Sequence, residues 1–202
     1  RHAVEENFDF VNYLGLKRHW PEFPVKFPKT TLTQDRPRIG VFPLSRWGTK
    51  NWPVKCFVEL IRLIREKHKA SIFLLGGPSD RRVCSFIEGQ LGSGVTNMAG
   101  QMSLVETGSF LCELDLLVSN DSGPVHMAAA VGTPTLVIFG PTDAGRTGPY
   151  GEIHRVVSSN ISCRPCFSRT CKRGGLPCLL GLPPEQVAAI ALEMLAARMA
   201  GG

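Results

Sequence analysis

Apolar residues along this chain come in short runs that alternate between two patterns. Arg38 to Phe42, Ser71 to Leu75, Val95 to Met98, Leu114 to Ser119 and the stretch ending at Phe139 are brief and rich in apolar or β-branched residues. That pattern predicts strands covered on both faces. Between them, Val54 to Lys67, Asp80 to Leu91, Leu104 to Cys112 and Pro184 to Met199 carry apolar residues at helical spacing, and a short Ala-rich helix runs through Ala128 to Ala130. Pro53 is expected at the first position of its helix, where a missing N–H costs nothing. An edge strand is expected around Ile153 to Val157. Strands alternating with helices at this rhythm predict an α/β fold with a doubly wound, Rossmann-like parallel sheet.

The ends of the chain read differently. Residues 3–16 have Val4, Phe8, Val11 and Leu14 at the spacing of an amphipathic helix. Pro21, Pro24, Pro28 and Pro37 then punctuate a stretch with no period, read as a linker. The expected organisation is therefore a helix and Pro-rich inter-domain linker over 1–37, then a Rossmann-like α/β domain over 38–202 with a Cys-rich loop at 163–178. At 202 residues, 43% hydrophobic and 20% charged, the chain is long enough to bury a core. No apolar run approaches the roughly 20 residues that span a bilayer. The start, Arg1-His2-Ala3-Val4-Glu5-Glu6, lacks the features of a signal peptide and has no Met, so the chain reads as a piece of a longer protein. The net charge of +6 suits an anionic partner, and its spread along the chain suits a phosphate-bearing small molecule or an anionic membrane surface better than nucleic acid.

The candidate chemistry gathers where strands end. Asn120-Asp121-Ser122-Gly123-Pro124-Val125-His126 follows a buried strand and opens the Ala-rich helix. It places a carboxylate, a hydroxyl, a glycine and an imidazole at a strand's carboxyl end and a helix's amino end, where open parallel sheets bind ligands and free N–H groups attract anions. The plainer reading is an Asp-Ser helix cap. Ser45, Arg46 and Lys50 occupy the loop after the first strand, and Lys50 would neutralise a bound diphosphate as a point charge. Asp80, after Gly76-Gly77-Pro78-Ser79, either caps the next helix or meets a sugar hydroxyl. Neither a Gly-x-Gly-x-x-Gly turn nor a Walker-type lysine motif occurs, which argues against a nicotinamide dehydrogenase or a P-loop enzyme.

These segments resemble the carboxyl-terminal half of glycosyltransferase family 9, the ADP-heptose:lipopolysaccharide heptosyltransferases. The likeness is carried by Trp47 to Glu59, Leu74 to Asp80, Asn120 to Ala130, Phe139 to Asp143, Gly148-Pro149-Tyr150-Gly151 and Pro183-Pro184-Glu185-Gln186-Val187. It departs from the family at Phe42-Pro43-Leu44-Ser45, where relatives often have a small Gly-containing turn. The resemblance implies a GT-B enzyme of two Rossmann-like domains, of which this is the donor-binding one. By that resemblance Ser45, Lys50, Asp121, Ser122 and Gly123 contact the diphosphate and His126 shapes the donor pocket. Heptose would pass from ADP-heptose, with inversion, to the inner core of lipopolysaccharide, with no cofactor required. The general base would lie in an amino-terminal domain outside this chain, so no catalytic residue is expected here and the fragment alone would be inactive. The implied location is cytoplasmic, in peripheral contact with the inner face of the inner membrane. A related transferase with another nucleotide-sugar donor is the nearest alternative.

The cysteines raise a separate expectation. Cys163, Cys166, Cys171 and Cys178 stand in one basic, Pro/Gly-rich loop with gaps of two, four and six residues. Structural Zn²⁺, two disulfides or free thiols all accommodate that spacing. With Arg164, Arg169, Lys172 and Arg173 nearby, a zinc-stabilised nucleic-acid-binding module is the competing reading from a different class. Cys56, Cys84 and Cys112 are expected in the core.

Overall fold

The computed structural model describes residues 1–17 and 19–200. Its strands are β1 (Arg38–Phe42), β2 (Ser71–Leu74), β3 (Val95–Asn97), β4 (Leu116–Asn120), β5 (Thr135–Phe139) and β6 (Arg155–Ser158). They form one all-parallel sheet in the order β3-β2-β1-β4-β5-β6. This is the doubly wound order, and its reversal lies between β1 and β4, where such sheets open a crevice at their carboxyl edge.

The helices are α1 (Ala3–Tyr13), α2 (Val54–Lys67), α3 (Arg81–Leu91), α4 (Leu104–Cys112), α5 (Gly123–Ala130), α6 (Ala144–Thr147), α7 (Pro177–Leu180) and α8 (Pro184–Ala200). Side chains alternate across the sheet with period two, and each set meets its own helices. Ile39, Val41, Ile72, Leu74, Leu116, Val118, Leu136 and Ile138 pack with Phe57, Leu60, Ile61 and Ile64 of α2, Ile87 of α3 and Val187, Ala191 and Leu195 of α8. On the opposite face Phe73 and Leu117 meet Phe110 and Leu111 of α4 and Ala128 of α5. Val137 and Phe139 pack on Val125.

Most elements fall where the pattern places them, with three differences. Pro53 stands one residue earlier than expected, at the N-cap of α2. The segment before β4 turns at Leu114–Asp115, because the Asp115 carboxylate takes the Arg38 N–H and the Arg36 guanidinium. Cys112 is exposed rather than in the core, whereas Cys84 is fully buried and its thiol is pushed up to about 12 by burial.

The first 37 residues form α1 and an irregular stretch. None of the residues of α1 is buried, and Phe10 and Tyr13 are exposed. The helix is held by its polar side and its beginning. His2 Nε2 lies 3.0 Å from the Gly148 carbonyl, and the Tyr150 hydroxyl donates to Glu5. Further along, Trp20 and Phe23 approach the Tyr150 ring. Among the described residues no helix is long and apolar enough to cross a membrane.

Next to Tyr150, His154 is only 8% exposed and its Nδ1 has no hydrogen-bond partner among the described residues. Burial pushes the imidazole down to about 4, against a backbone hydrogen bond with Tyr150 that acts the other way. The folded state thus holds the neutral ring below its ordinary value of 6.5. The associated stability is fully present above pH 6.5 and is lost as pH falls towards 4. Between pH 7 and 4.5 this group should remove about 2–3 kcal/mol. The expected result is a His154→Phe protein whose urea-unfolding free energy falls less than the parent's over that window, by this amount. Parallel losses in the two proteins would assign the acid sensitivity elsewhere.

Candidate donor-binding site

The crevice at the β1/β4 switch point is built by three turns. The first runs from Pro43 to Pro53 after β1 and includes a single 3-10 turn, Gly48–Lys50. The second is Asp121–Ser122, between β4 and α5. The third is Gly140–Asp143, after β5. β4 itself is buried throughout, so its polar last residue is there for a reason. Asn120, fully buried, donates from Nδ2 to the Pro43 carbonyl at 2.7 Å and accepts the Trp52 N–H on Oδ1 at 3.0 Å. One side-chain amide therefore fixes both ends of the first turn. Within that turn Asn51 Oδ1 accepts the Ser45 N–H and hydroxyl, at 2.7 and 2.9 Å. Trp52, 1% exposed, anchors the exit through its indole N–H to the Leu182 carbonyl and an edge contact with Phe57.

So held, the turn extends Lys50 across to the second turn, where Nζ lies 2.6 Å from Asp121 Oδ2. The Asp121 side chain is 7% exposed and that of Lys50 17%. Thr142, from the third turn, donates its hydroxyl to the same Oδ2 at 2.6 Å. The three turns thus converge on one carboxylate. A buried charge is tolerated only when paired and hydrogen-bonded, and here both conditions are met.

The start of α5 completes the site. Ser122 occupies the N-cap, yet its side chain makes no capping bond to the helix; its hydroxyl lies 3.1 Å from that of Ser119. The capping alternative for this turn is therefore not what the side chains do. Gly123 is exposed, and a Cβ built on it meets nothing within 4 Å. Nothing in the protein needs a glycine there, and the space in front of the helix terminus is open to a ligand. His126, in the first turns of α5, shares this field. The residue is exposed overall, but partial shielding of its ring lowers its pKa; Asp121 opposes this, and the nearby His2 and Lys50 act with it. The imidazole is thus neutral at pH 7 and can donate and accept a hydrogen bond.

The remaining expected residues divide. Ser45 lies in the first turn, where its hydroxyl donates within hydrogen-bond reach of the Trp47 carbonyl and Asn51. Asp80 sits at the end of β2, where Oδ2 accepts the Gly77 N–H at 2.8 Å and Oδ1 lies 3.3 Å from the Ser79 hydroxyl; its geometry is that of a turn cap. Cys163, Cys166, Cys171 and Cys178 line one cavity of about 260 Å³. All four are free thiols, and among the described residues no three His, Cys, Asp or Glu side chains form a group able to hold a metal ion. The zinc expectation therefore finds no assembled ligand set. The loop is tied down instead by Arg164, which reaches the Gly140 and Ser159 carbonyls, and by the Cys166 and Phe167 N–H groups on the Pro141 carbonyl.

Comparison with known proteins gives the family. The sequence model of glycosyltransferase family 9 (heptosyltransferase) matches residues 1–176. The chain belongs to glycosyltransferase family 9. It is 28% identical over 205 residues to lipooligosaccharide heptosyltransferase 2 of Campylobacter jejuni, with 96% of this chain and 64% of that protein covered. To lipopolysaccharide heptosyltransferase 1 of Pseudomonas aeruginosa it is 32% identical over 169 residues, covering 76% of this chain and 46% of the relative. Among solved structures, the E. coli heptosyltransferase WaaC with ADP superposes with a TM-score of 0.73 at 24% identity, covering 96% of this chain and 57% of that one. The chain thus spans less than two thirds of the length of these relatives. As a family 9 member it has the Rossmann-like α/β sheet expected of it.

Thr142, Asn51 and Asn120 lie in segments that the sequence singles out, but the partners they take carry no mark there. Thr142 lies 21 positions from its partner Asp121, and no local pattern links them. Asn51 and Asn120 serve as internal braces. Of these only Asn120 leaves a signal, as an amide closing a strand that is otherwise apolar but for Ser119.

Proposed function

We propose that this chain binds the nucleotide-sugar donor of an inverting heptosyltransferase, ADP-heptose, whose sugar passes to the lipopolysaccharide inner core. The observation that carries the reading is the Lys50–Asp121 pair at the uncapped start of α5, facing open space at Gly123. Family membership supports the transferase, and the relatives' names support heptose and lipopolysaccharide. The ADP in the similar WaaC structure supports an adenosine diphosphate moiety in the donor.

The chemistry follows from where charge develops. As the bond between the sugar's anomeric carbon and the diphosphate oxygen breaks, the electron pair stays on that oxygen. Lys50, the amide donors at Ser122 and Gly123 and the positive end of α5 stabilise it. Asp121 is too occupied to serve as a base; it holds Lys50 in place. His126, neutral, is suited to a sugar hydroxyl. The base that deprotonates the acceptor comes from outside this chain, from the domain that residues 1–37 would join to residues 38–202. The fragment should therefore bind donor and transfer poorly. In the basic loop, Arg164 is spent on backbone carbonyls and Arg173 lies 3.4 Å from the Ser162 hydroxyl, so neither stands free for a polyanion.

Calorimetric titration of the chain with ADP and UDP tests the reading, with Gly123→Ala as the localising variant. ADP should bind in preference to UDP. Gly123→Ala should weaken it severalfold while leaving the unfolding midpoint unchanged, because the added methyl meets ligand space and no protein atom. Equal ADP affinity in both proteins would move the diphosphate away from α5.

A further inference from the structure

The cysteine-rich loop is more than a surface excursion. Its Ser168 carbonyl accepts the hydroxyl of Thr49, the residue before Lys50, at 2.9 Å. Thr49 is buried, and the Cys166 and Phe167 N–H groups grip Pro141, the residue before Thr142. The loop is thereby fastened to two of the three turns that converge on Asp121. Phe167 accepts a left-handed backbone, φ 51°, while making that grip. A non-glycine residue held there is strained, so the surrounding contacts hold the chain to this course.

The next residue after Ser168 is Arg169, and its guanidinium carbon lies 4.5 Å from the centroid of the Trp47 ring. The same ring has Lys50 Nζ at 4.8 Å. One indole therefore organises two cations, from segments more than a hundred residues apart, each drawn by its negative face. Their surroundings differ. Lys50 has its carboxylate in Asp121, whereas Arg169 has no carboxylate partner among the described residues and its side chain is exposed. A cation fixed on an aromatic ring beside a paired lysine, and left without an anion, is poised for an anionic ligand. Its planar fork suits two phosphate oxygens at once.

We propose that Arg169 is a second cationic ligand of the donor diphosphate, so that the cysteine-rich loop forms one wall of the donor site and Trp47 is the platform aligning both cations. This rests on the donor-site reading above and adds a residue and a loop to it. It also gives the loop a task that requires no metal.

The test compares ADP with adenosine on the parent chain, Arg169→Gln and Arg169→Lys. Arg169→Gln should lower ADP affinity roughly fivefold to tenfold, the loss of one charged hydrogen-bonding group at an exposed position. Adenosine affinity and the thermal midpoint should stay at parent values, because among the described residues the guanidinium has the Trp47 ring as its partner and no hydrogen bond or ion pair. Arg169→Lys should recover part of the loss. A parent that binds ADP and an Arg169→Gln protein within twofold of it would overturn the assignment and leave the donor site standing. An equal loss for ADP and adenosine would overturn it too, by making Arg169 a support for the loop. A parent that binds no ADP would remove the underlying reading itself.

Discussion

Lys50→Ala should lose both ligand and stability, and the two losses should come apart in a double variant. Removing the ammonium takes a charged partner from the diphosphate, which corresponds to roughly tenfold to a hundredfold in ADP affinity. It also leaves the Asp121 carboxylate, 7% exposed, with only the Thr142 hydroxyl. An orphaned buried charge of this kind costs about 3 kcal/mol. Adding Asp121→Asn removes that charge, so the double variant should regain most of the stability in urea titrations and none of the ADP affinity. If the double variant recovers binding, Lys50 acts only through its partner; if the single variant unfolds like the parent, the pair is not the buried interaction described above.

Asn120→Ala is the second large effect, and it starts from the fold. The amide joins Pro43 and Trp52, residues 77 and 68 positions away, inside the sheet's carboxyl edge. Truncation strands one buried carbonyl and one buried N–H and leaves a small void. Two such groups at 1–2 kcal/mol each suggest about 3 kcal/mol, or on the order of 6–12 °C in the unfolding midpoint for a domain of this size. Asn120→Asp should be no better, since it keeps the acceptor for Trp52 but sets a carboxylate against the Pro43 carbonyl. The turn carrying Lys50 should loosen in both, so ADP affinity should fall along with stability. A change below 1 kcal/mol would show that neighbouring contacts hold the turn without the amide.

Much of this could be read from the chain alone, and the limits have physical causes. The four inner strands announce themselves as short apolar runs buried on both faces, and the longer helices through an apolar face of helical period. The single-turn helices α6 and α7 have four residues each, too few to show a period. The turn from Asp121 to His126 was legible because chemistry-bearing residues follow a buried strand and precede a helix. What the order of residues does not reveal is which partner each one takes. Asp121 reads as a ligand contact, yet its carboxylate is committed to Lys50 and Thr142, across 71 and 21 positions. Asp80 reads as either cap or contact, and the carboxylate caps its turn. The four cysteines have spacings that suit a metal, but those spacings say nothing of side-chain direction, and the thiols line a cavity without gathering as ligands. Trp47 and Arg169 meet only through the tertiary course of the loop.

The pairing of β1 with β4 joins residues far apart in the chain, such as Ile39 and Leu116. Contacts of that separation form late and slowly during folding, because a long loop must close before they can reward it. The crevice exists only after β1 and β4 have zipped, so a partly folded chain has nothing with which to bind a nucleotide. Ligand binding and completion of the fold are then one thermodynamic event. Each tenfold rise in a saturating ligand should deepen the native well by about 1.4 kcal/mol. A chain that meets such a ligand soon after synthesis would gain protection from proteolysis at the stage when its longest-range strand pairing is newly made.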